Sequence, residues 1–419
     1  MRLLLAAFAC QPGRGSEPGV GWAFASSAAG SGHDVVLVTQ RRNRRLIEGA
    51  RAADPELARR LAPVYVGLPA GLMDAWDRHL GLRGLQLYNL AWQLALARAA
   101  RRVQRTRPVD CAHHVTLSSD WMPSGLALVP GLRFVWGPLG GSERVPPSCR
   151  RWLGRRGRAV EALRRLTADP LRRLLADPAA ARASLLLAQN HEVAARFAHA
   201  GPPVVVRPNV FLDPADWPAG LLDGPPPRGR AAGRRRAVFA GRLLGWKGVF
   251  LALDTMARPE LSDWELHLYG EGPERADLER RIDRLGLADR VVLHGAVPRA
   301  ELLGELAAAD AFFFPSLREA AGWVVAEALM TGCPVVCLDH GGPPVLVAGG
   351  PGVAVAPGPS VAADLAAALS RTPDLARTPR RWELAALPGL LDRWYAQAAD
   401  PLAGARPATL TTDVGGPSR

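Results

Sequence analysis

The chain has 419 residues, of which 48% are hydrophobic and 22% are charged, a composition typical of a soluble globular protein with two or three domains. No apolar run reaches the roughly 18–20 residues that a membrane-spanning helix needs. The net charge of +13 comes almost wholly from arginine, since Lys247 is the only lysine. Because an ammonium and a guanidinium are not interchangeable, this suggests that position 247 requires an ammonium group.

The first predicted element is a buried strand over residues 3–9, an apolar run that leads into a glycine-rich loop. The same run could be a short lipoprotein signal ending at Cys10. We favour the strand, because the run carries one positive side chain and a turn follows at residues 11–15. The five cysteines have no repeated pair spacing and no histidines at zinc-ligand spacing, which favours core thiols and a reducing cytoplasm.

Apolar strands and helical patterns alternate along the first half of the chain. A helix is predicted over residues 20–29, and further strands at 34–39, 63–66, 110–115, 132–135, 184–188 and 203–206. This alternation is typical of a parallel, doubly wound α/β sheet with helices on both faces.

Residues 223–236 predict a linker, because this stretch of prolines, glycines and arginines cannot bury a core. A second alternating series follows, with strands at 237–240, 264–269, 291–294, 311–314, 335–338 and 352–355 and helices at 248–256 and 274–285. We therefore expect two Rossmann-like domains, residues 1–222 and 237–380, facing each other across a ligand-binding cleft. A helix along the domain joint is expected at 381–400, and a disordered tail at 401–419.

Two cations lie in the loop after the strand at 237–240. Arg242 and Lys247 come just before a predicted helix, whose N-terminal N–H groups and dipole add to their charge. This arrangement suits a diphosphate, although a solvated loop with two surface charges explains the residues equally well. The glycine and lysine spacing of a P-loop is absent.

A pair of carboxylates follows the strand at 311–314. Glu319 lies in the loop after this strand, and Glu327 lies two turns into the next predicted helix. Near the helix start, Gly322 permits close backbone approach, and the N–H groups of Trp323 and Val324 can bind a phosphate or a hydroxyl. A carboxylate can accept both hydrogen bonds of a sugar diol. For Glu327 alone, a salt-bridged helix residue is an equally good interpretation.

Together these segments resemble the retaining glycosyltransferases of family 4, which share the GT-B fold of two Rossmann-like domains. In the second half the resemblance rests on the Gly-Arg-Leu…Lys-Gly stretch, the turns at 269–273 and 294–298, and the pair Glu319…Glu327. In the first half it rests on residues 10–22, 113–116 and 136–141.

The resemblance implies transfer of a sugar from a nucleotide diphosphate sugar to an acceptor hydroxyl. Arg242 and Lys247 would bind the diphosphate, Glu327 the ribose and Glu319 the transferred sugar. The remaining implied contacts are His113, in preference to His114, with the donor sugar; Val297, Gly322, Trp323, Val324 and Gly21 with the donor; and Glu17 and Gly19 with the acceptor. No cofactor is implied, and we expect metal independence because the two cations would replace a metal and no Asp-x-Asp motif is present.

The chain departs from the family pattern at two places. Ala320-Ala321 stands where the family usually has Gly-Phe or a similar pair, which leaves the identity of the donor sugar open. The double glycine Gly341-Gly342 is not followed by the usual acidic residue, which bears on the level of activity.

A strongly basic segment covers residues 150–175, with nine arginines and apolar residues at helical spacing. Such a segment can lie on an anionic membrane surface, which would suit a lipid-linked acceptor. A solvated face in an arginine-rich protein explains it equally well. No nucleic-acid-binding module accompanies the charge, so we expect no nucleic acid partner.

Three other functions fit parts of the pattern. A GT-B sugar-nucleotide epimerase would use the same donor grip, but would need acid and base carboxylates over the sugar. A catalytically silent homologue would bind the nucleotide sugar without transferring it. An NAD-dependent enzyme is disfavoured, because no Gly-x-Gly-x-x-Gly follows the first strand with an acidic residue at the required distance.

Overall fold

The computed structural model describes residues 1–67, 70–117, 119–222, 233–372, 382–400 and 410–412, and for residues 70–83 and 410–412 it describes the backbone only. The chain forms two compact units. The first contains the described residues of Met1–Ser142, Thr167–Phe211 and Glu383–Gly415, and the second contains those of Glu143–Leu166 and Leu212–Trp382. The chain therefore changes unit at more places than the single linker predicted from the sequence.

The first unit is built on an eight-stranded parallel sheet. Its strands are β1 (Arg2–Ala7), β2 (Asp34–Gln40), β3 (Leu61–Val66), β4 (Cys111–Thr116), β5 (Phe134–Leu139), β6 (Leu185–Ala188), β7 (Val204–Val206) and β14 (Leu410–Thr412). They lie in the order β14-β7-β6-β5-β4-β1-β2-β3. The order reverses between β1 and β4, so loops following these two strands meet at the carboxyl edge of the sheet.

Helices of the first unit are α1 (Ser16–Gly30), α2 (Arg44–Ala53), α3 (Pro55–Arg60), α4 (Ala70–Thr106), α6 (Asp177–Ala180), α7 (His191–Phe197) and α14 (Leu387–Ala399). Helix α5 (Gly154–Leu171) begins in the second unit and ends in the first. Helix α1 begins at Ser16, earlier than the predicted residue 20. Pro18 is compatible with this start, because the N–H groups of the first helical turn have no intrahelical partner.

Helix α14 shows how an amphipathic sequence docks onto the first unit. Its buried residues recur at helical spacing, Leu387, Leu390, Leu391, Trp394, Tyr395 and Ala398. Each large apolar side chain of this stripe contributes roughly 1.5–3 kcal/mol by leaving water. The helix therefore belongs to the core of the first unit, although it lies at the far end of the sequence.

The second unit is built on a six-stranded parallel sheet. Its strands are β8 (Arg235–Ala240), β9 (Trp264–Tyr269), β10 (Val291–Gly295), β11 (Ala311–Phe314), β12 (Val335–Leu338) and β13 (Gly352–Val355), in the order β10-β9-β8-β11-β12-β13. Counted along the chain this is 3-2-1-4-5-6, the strand order of a Rossmann sheet. The order reverses between β8 and β11, and ligands of such sheets bind beyond the carboxyl ends of the strands at that point.

Helices of the second unit are α8 (Val249–Met256), α9 (Arg275–Leu285), α10 (Arg299–Ala307), α11 (Trp323–Thr331), α12 (Pro343–Val347) and α13 (Val361–Ser370). Strand β8 begins at Arg235, inside the predicted linker, and residues 223–232 of that linker lie outside the described residues. The predicted tail also lies outside them, except for Leu410–Thr412, which pair with β7. Within the described part of the chain, no helix is both long and apolar enough to span a membrane.

Candidate active site

Three of the predicted site residues lie on loops at the point where the strand order of the second sheet reverses. Arg242 and Lys247 lie in the loop after β8, and Glu319 lies in the loop after β11. Because β8 and β11 are neighbours in the sheet, their two loops leave the same edge side by side. The fold thus places the loop of Arg242 and Lys247 beside the loop of Glu319, and Lys247 and Glu319 are 72 residues apart in the sequence.

Backbone hydrogen bonds fasten these two loops to each other. The carbonyl of Trp246 accepts from the N–H groups of Leu317 (2.9 Å) and Arg318 (3.2 Å). Gly248 has a φ of +79°, and a Cβ atom there would lie 1.8 Å from the carbonyl oxygen of Pro315. Only glycine fits, so the loop that carries Lys247 is held against the end of β11.

Lys247 and Glu319 form a direct ion pair, in which Nζ contacts Oε2. Their side chains are 22% and 15% exposed, so both remain reachable from solvent. Arg242 is exposed, and its side chain makes no hydrogen bond or ion pair among the described residues. The loop after β8 therefore offers one unengaged cation and one cation balanced by Glu319.

The double glycine Gly341-Gly342 packs against the loop that carries Glu319. The N–H of Gly342 donates to the carbonyl of Glu319 (2.9 Å), and a Cβ on Gly342 would lie 2.4 Å from the carbonyls of Ala320 and Ala321. Gly341 has a φ of +72°, and a Cβ there would lie 2.1 Å from the Glu319 carbonyl. These contacts explain the double glycine by packing alone, and none of them requires the acidic residue that the family pattern has downstream.

Glu327 lies on the buried side of α11 and is 8% exposed. Its Oε1 accepts a hydrogen bond from Nε of Arg299 (2.9 Å), while Oε2 has no hydrogen-bond partner in the described part of the chain. Burial raises the pKa of the Glu327 carboxyl, and the Arg299 guanidinium opposes that shift. Sequence reasoning missed Arg299, although it directly follows the turn at 294–298 that carried part of the resemblance.

The remaining predicted donor contacts lie at two helix starts. Gly322, with a φ of +89°, precedes α11, and no side chain caps that helix. The first N–H groups of α11 belong to Trp323 and Val324, both partly exposed, and helical geometry leaves such groups without intrahelical partners. Val297 is partly exposed and lies in the loop before α10.

The turns after β9 and β10 are joined to the Arg242 loop. Gly241 N–H donates to the carbonyl of Tyr269 (2.9 Å), and Gly270 N–H donates to the carbonyl of Gly295 (2.7 Å). A Cβ on Gly270 would lie 2.0 Å from the carbonyl of Gly241. Backbone hydrogen bonds therefore link the turns at 269–273 and 294–298 to each other and to the loop that carries Arg242 and Lys247.

The second unit also includes a contact that the sequence did not indicate. Arg318, next to Glu319, donates through NH1 to Oε2 of the buried Glu161 on α5 (2.7 Å) and lies over the ring of Trp246, 4.9 Å from its centre. The basic segment is thus bonded to the loop that carries Glu319. No motif at Glu161 announces this, because the pairing joins residues 157 positions apart.

In the first unit, Glu17, Gly19 and Gly21 lie in the first part of α1, after β1. A Cβ on Gly19 would lie 1.9 Å from the carbonyl of Arg14, and one on Gly21 would lie 2.0 Å from that of Ala9, so the fold itself requires both glycines. Asn209 donates through Nδ2 to Oε1 of Glu17 (3.3 Å). Burial raises the pKa of the Glu17 carboxyl to about 7, where it can both donate and accept hydrogen bonds.

His113 lies in the core of the first unit on β4 and is fully buried. Nε2 donates to the carbonyl of Gly137 (2.9 Å), so Nδ1 is the acceptor for the hydroxyl of Tyr395 (3.1 Å). Burial lowers the pKa of His113 to about 3 and that of the equally buried His114 to about 4. His113 has no exposed surface and no unused ring nitrogen, so it packs as a core residue, and we do not include it in the proposed site.

The side chains that commonly bind metals are dispersed. Among the described residues, no group of three or more histidine, cysteine or carboxylate side chains is arranged to hold a metal ion. All five cysteines are buried and unpaired with one another.

Comparison with known proteins identifies the second half of the chain. Residues 226–386 match the family model of glycosyl transferases group 1. Residues 226–386 are thus similar to the group 1 glycosyl transferases. The matched range includes β8 and β11 with Arg242, Lys247, Glu319 and Glu327, and the match confirms the resemblance inferred from these residues at the level of the group 1 family.

Curated relatives match this chain over part of their length. A 2-deoxystreptamine glucosyltransferase of Streptomyces kanamyceticus is 34% identical over 107 residues, which are 25% of this chain and 27% of the relative. A GDP-mannose-dependent alpha-(1-6)-phosphatidylinositol monomannoside mannosyltransferase of Mycolicibacterium smegmatis is 31% identical over 209 residues, 44% of this chain and 54% of the relative. The chain thus spans about a quarter to a half of these relatives.

Solved structures match the chain over nearly its whole length. Sucrose-phosphate synthase from Thermosynechococcus elongatus superimposes with a TM-score of 0.62 at 16% identity, covering 94% of this chain and 98% of the other. Anabaena HepE in complex with UDP superimposes with a TM-score of 0.53 at 18% identity, covering 94% and 99%. These likenesses confirm the predicted α/β fold of GT-B type with two Rossmann-like domains.

Proposed function

We propose that the protein is a retaining glycosyltransferase of family 4 that transfers a sugar from a nucleotide diphosphate sugar to an acceptor hydroxyl. One observation carries the proposal. The loops after β8 and β11 bring Lys247 into contact with Glu319 at the point where the Rossmann strand order reverses, inside the range that matches the group 1 family. That point is where a Rossmann sheet binds its ligand.

The donor would be bound by groups of different chemistry along this edge. Arg242 and Lys247 supply charge for the diphosphate, with the unengaged N–H groups at the start of α11 beside Gly322. Glu327 would accept from the ribose hydroxyls and Glu319 from those of the transferred sugar. HepE is described in complex with UDP, and the mycolicibacterial relative is named GDP-mannose-dependent, so uridine and guanosine nucleotides are the first donors to test.

The reaction would proceed by substitution on one face of the sugar. The bond between the anomeric carbon and the diphosphate oxygen breaks, the acceptor oxygen bonds to the same face of that carbon, and its proton passes to an oxygen of the leaving diphosphate. Arg242 and Lys247 would stabilise the charge that develops on the leaving group. Glu319 and Glu327 are assigned to hydroxyl recognition, so a covalent glycosyl-enzyme is not required.

We propose that the reaction needs no metal ion, because the two cations occupy the role of charge stabiliser at the diphosphate. The test is turnover of the purified protein after treatment with EDTA, with and without added Mg²⁺ or Mn²⁺. Unchanged turnover supports the proposal. A loss of turnover that a divalent cation restores would contradict it.

The acceptor would be a glycan, a lipid-linked molecule or a small molecule with a free hydroxyl. In the first unit, Glu17 and Gly19 are the proposed acceptor contacts. A carboxyl with a pKa raised to about 7 and an amide partner, Asn209, suits a hydroxyl that both donates and accepts. Activity on a cytoplasmic pool of nucleotide sugars would suit the reduced, buried cysteines.

A lipid-linked acceptor is favoured by the surface of α5. Within the second unit this helix exposes Val160 (42%), Leu163 (50%) and Leu166 (76%), which follow one another at helical spacing, and arginines at 155, 156 and 158 accompany them. Apolar residues flanked by arginines fit an anionic bilayer. Flotation with vesicles containing phosphatidylglycerol tests this: the native chain should float, Leu163→Ser/Leu166→Ser should not, and no flotation of the native chain would contradict a membrane partner.

The test of the proposed function is a panel of nucleotide sugars incubated with the purified protein, with release of nucleoside diphosphate as the readout. Release with one donor, accelerated by an acceptor, supports a transferase. Tight binding without release would instead support the silent homologue, and interconversion of the donor sugar would support the epimerase.

A further inference from the structure

Arg299 is the nearest charged partner of the proposed ribose-binding carboxylate. It begins α10, and Glu327 lies within α11, so the contact joins the helices that follow β10 and β11. Nε of Arg299 donates to Oε1 of Glu327 at 2.9 Å. The guanidinium is largely on the surface, with the side chain 41% exposed, whereas Glu327 is buried.

An aromatic ring limits the movement of this guanidinium. The Cζ atom of Arg299 lies 6.0 Å from the ring centre of Trp217, and Trp217 is 7% exposed. A planar guanidinium can stack on such a ring while its N–H groups point to a carboxylate. Trp217 therefore favours the orientation in which Arg299 reaches Glu327.

The two oxygens of Glu327 have different surroundings. Oε1 is occupied by Arg299, and Oε2 has no hydrogen-bond partner within the described ranges. A buried carboxylate with no partner at all would be costly, and an oxygen without a protein partner keeps its full capacity to accept from a ligand. One held oxygen and one open oxygen is the arrangement that suits a carboxylate awaiting a hydroxyl.

We propose that Arg299 is a positioning residue of the donor site, which holds Oε1 of Glu327 so that Oε2 is presented to the ribose hydroxyls. This inference rests on the proposed function, in which Glu327 binds the ribose. Arg299 acts through Glu327 and does not touch the donor itself. Its removal should therefore weaken recognition of the ribose hydroxyls and leave the diphosphate contacts of Arg242 and Lys247 intact.

The test compares nucleoside diphosphates that differ only in the ribose hydroxyls. Dissociation constants of UDP, GDP and their 2′,3′-dideoxy forms are measured by calorimetry for the native chain, Arg299→Gln, Glu327→Gln and the double variant. We expect Arg299→Gln to bind the ribonucleotide about tenfold more weakly, the effect of losing a contacting pair, and to bind the dideoxy form as the native chain does. Arg299→Gln should have no effect in the Glu327→Gln background.

Two further variants separate positioning from general stability. Arg258→Gln removes another exposed arginine, one that pairs with Glu260 at 3.5 Å, and should change neither constant. Arg299→Lys keeps a cation beside Glu327 and should recover part of the ribose discrimination.

The outcomes distinguish this inference from the proposed function. Full ribose discrimination in Arg299→Gln, or equal weakening of both nucleotide forms, would overturn the role of Arg299 alone. Failure of the native chain to bind any nucleoside diphosphate would overturn the proposed function and this inference with it.

Discussion

Lys247 and Glu319 lie 72 residues apart in the sequence and form an ion pair between the loops of two neighbouring strands, β8 and β11. The pair lies at the reversal of strand order, where Rossmann sheets bind ligands, and this position supports a role in ligand binding. In the absence of a donor, Glu319 is paired with Lys247, the cation that we assign to the diphosphate. A bound diphosphate and Glu319 would therefore compete for Lys247.

This competition predicts opposite effects of Glu319→Gln on nucleotide binding and on turnover. Binding of the free nucleoside diphosphate should strengthen by about two- to fivefold, because Lys247 no longer has a carboxylate partner. Turnover of the nucleotide sugar should fall, because the contact with the transferred sugar is lost. Calorimetry with the nucleotide and a turnover assay on the same preparation check both halves, and weaker nucleotide binding would contradict the competition.

The close approach of the Lys247 loop to β11 predicts that Gly248→Ala is severely destabilising. A Cβ there would lie 1.8 Å from the Pro315 carbonyl in addition to the strain of a positive φ. Gly286→Ala is the matched control, since Gly286 also has a positive φ, +64°, but nothing lies within 4 Å of its Cβ position. Thermal unfolding should show a loss of roughly 1–2 kcal/mol for Gly286→Ala and a larger loss for Gly248→Ala. Equal losses in the two variants would contradict the prediction, because they would show that the Lys247 loop can move away from β11 without further cost.

A buried ion network holds the loop after β5 in the first unit. Asp120, with no exposed surface, accepts from Nε of Arg172 (2.7 Å) and from the hydroxyl of Ser142 (2.6 Å). Asp120→Ala should lower the free energy of unfolding by about 3–5 kcal/mol, because it leaves a buried guanidinium short of its partner. The exposed pair between Asp289 and Arg234 has the same 2.7 Å separation, and Asp289→Ala should cost at most about 1 kcal/mol in a urea titration.

The buried histidines predict acid sensitivity of the fold. The pKa of His113 is lowered to about 3 in the folded chain, below its ordinary value of 6.5, so the unfolded chain binds the proton first. Its contribution to stability is complete above about pH 6.5 and is lost as the pH falls toward 3, by about 1.4 kcal/mol per pH unit. The difference in unfolding free energy between the native chain and His113→Gln should shrink by that slope between pH 6.5 and 4.5. A difference that stays constant with pH would show that His113 is not a buried neutral residue.

Much of the fold follows from local pattern. The predicted strands from residue 34 to residue 355 all lie at observed strands, because buried parallel strands leave continuous apolar runs such as Ala311–Phe314. The proposed donor-site residues after β8 and β11 were predicted from glycine, cation and carboxylate spacing, and the two loops that carry them are neighbours in the fold. In these cases one short segment of sequence contains both the residue types and the pattern that predicts where they lie.

The features that sequence reasoning missed depend on distant pairings. Glu161 with Arg318 and Glu17 with Asn209 join residues 157 and 192 positions apart, and neither partner carries a local signal of the other. His113 was assigned to the donor sugar through a motif, but its ring nitrogens are used by Gly137 and Tyr395, and the second of these lies on a helix 282 residues away. Such contacts are decided by packing of the whole unit.

The most direct test of the donor site is the turnover of Lys247→Ala with the nucleotide sugar that the native chain accepts. Loss of a charge stabiliser at the leaving diphosphate predicts a fall in turnover of roughly a hundredfold or more, with the thermal unfolding midpoint unchanged. Arg284→Ala, which removes an exposed arginine from the last turn of α9, should leave turnover at the native level. Near-native turnover of a folded Lys247→Ala would contradict the assignment of the diphosphate to Lys247 and, with it, the proposed site.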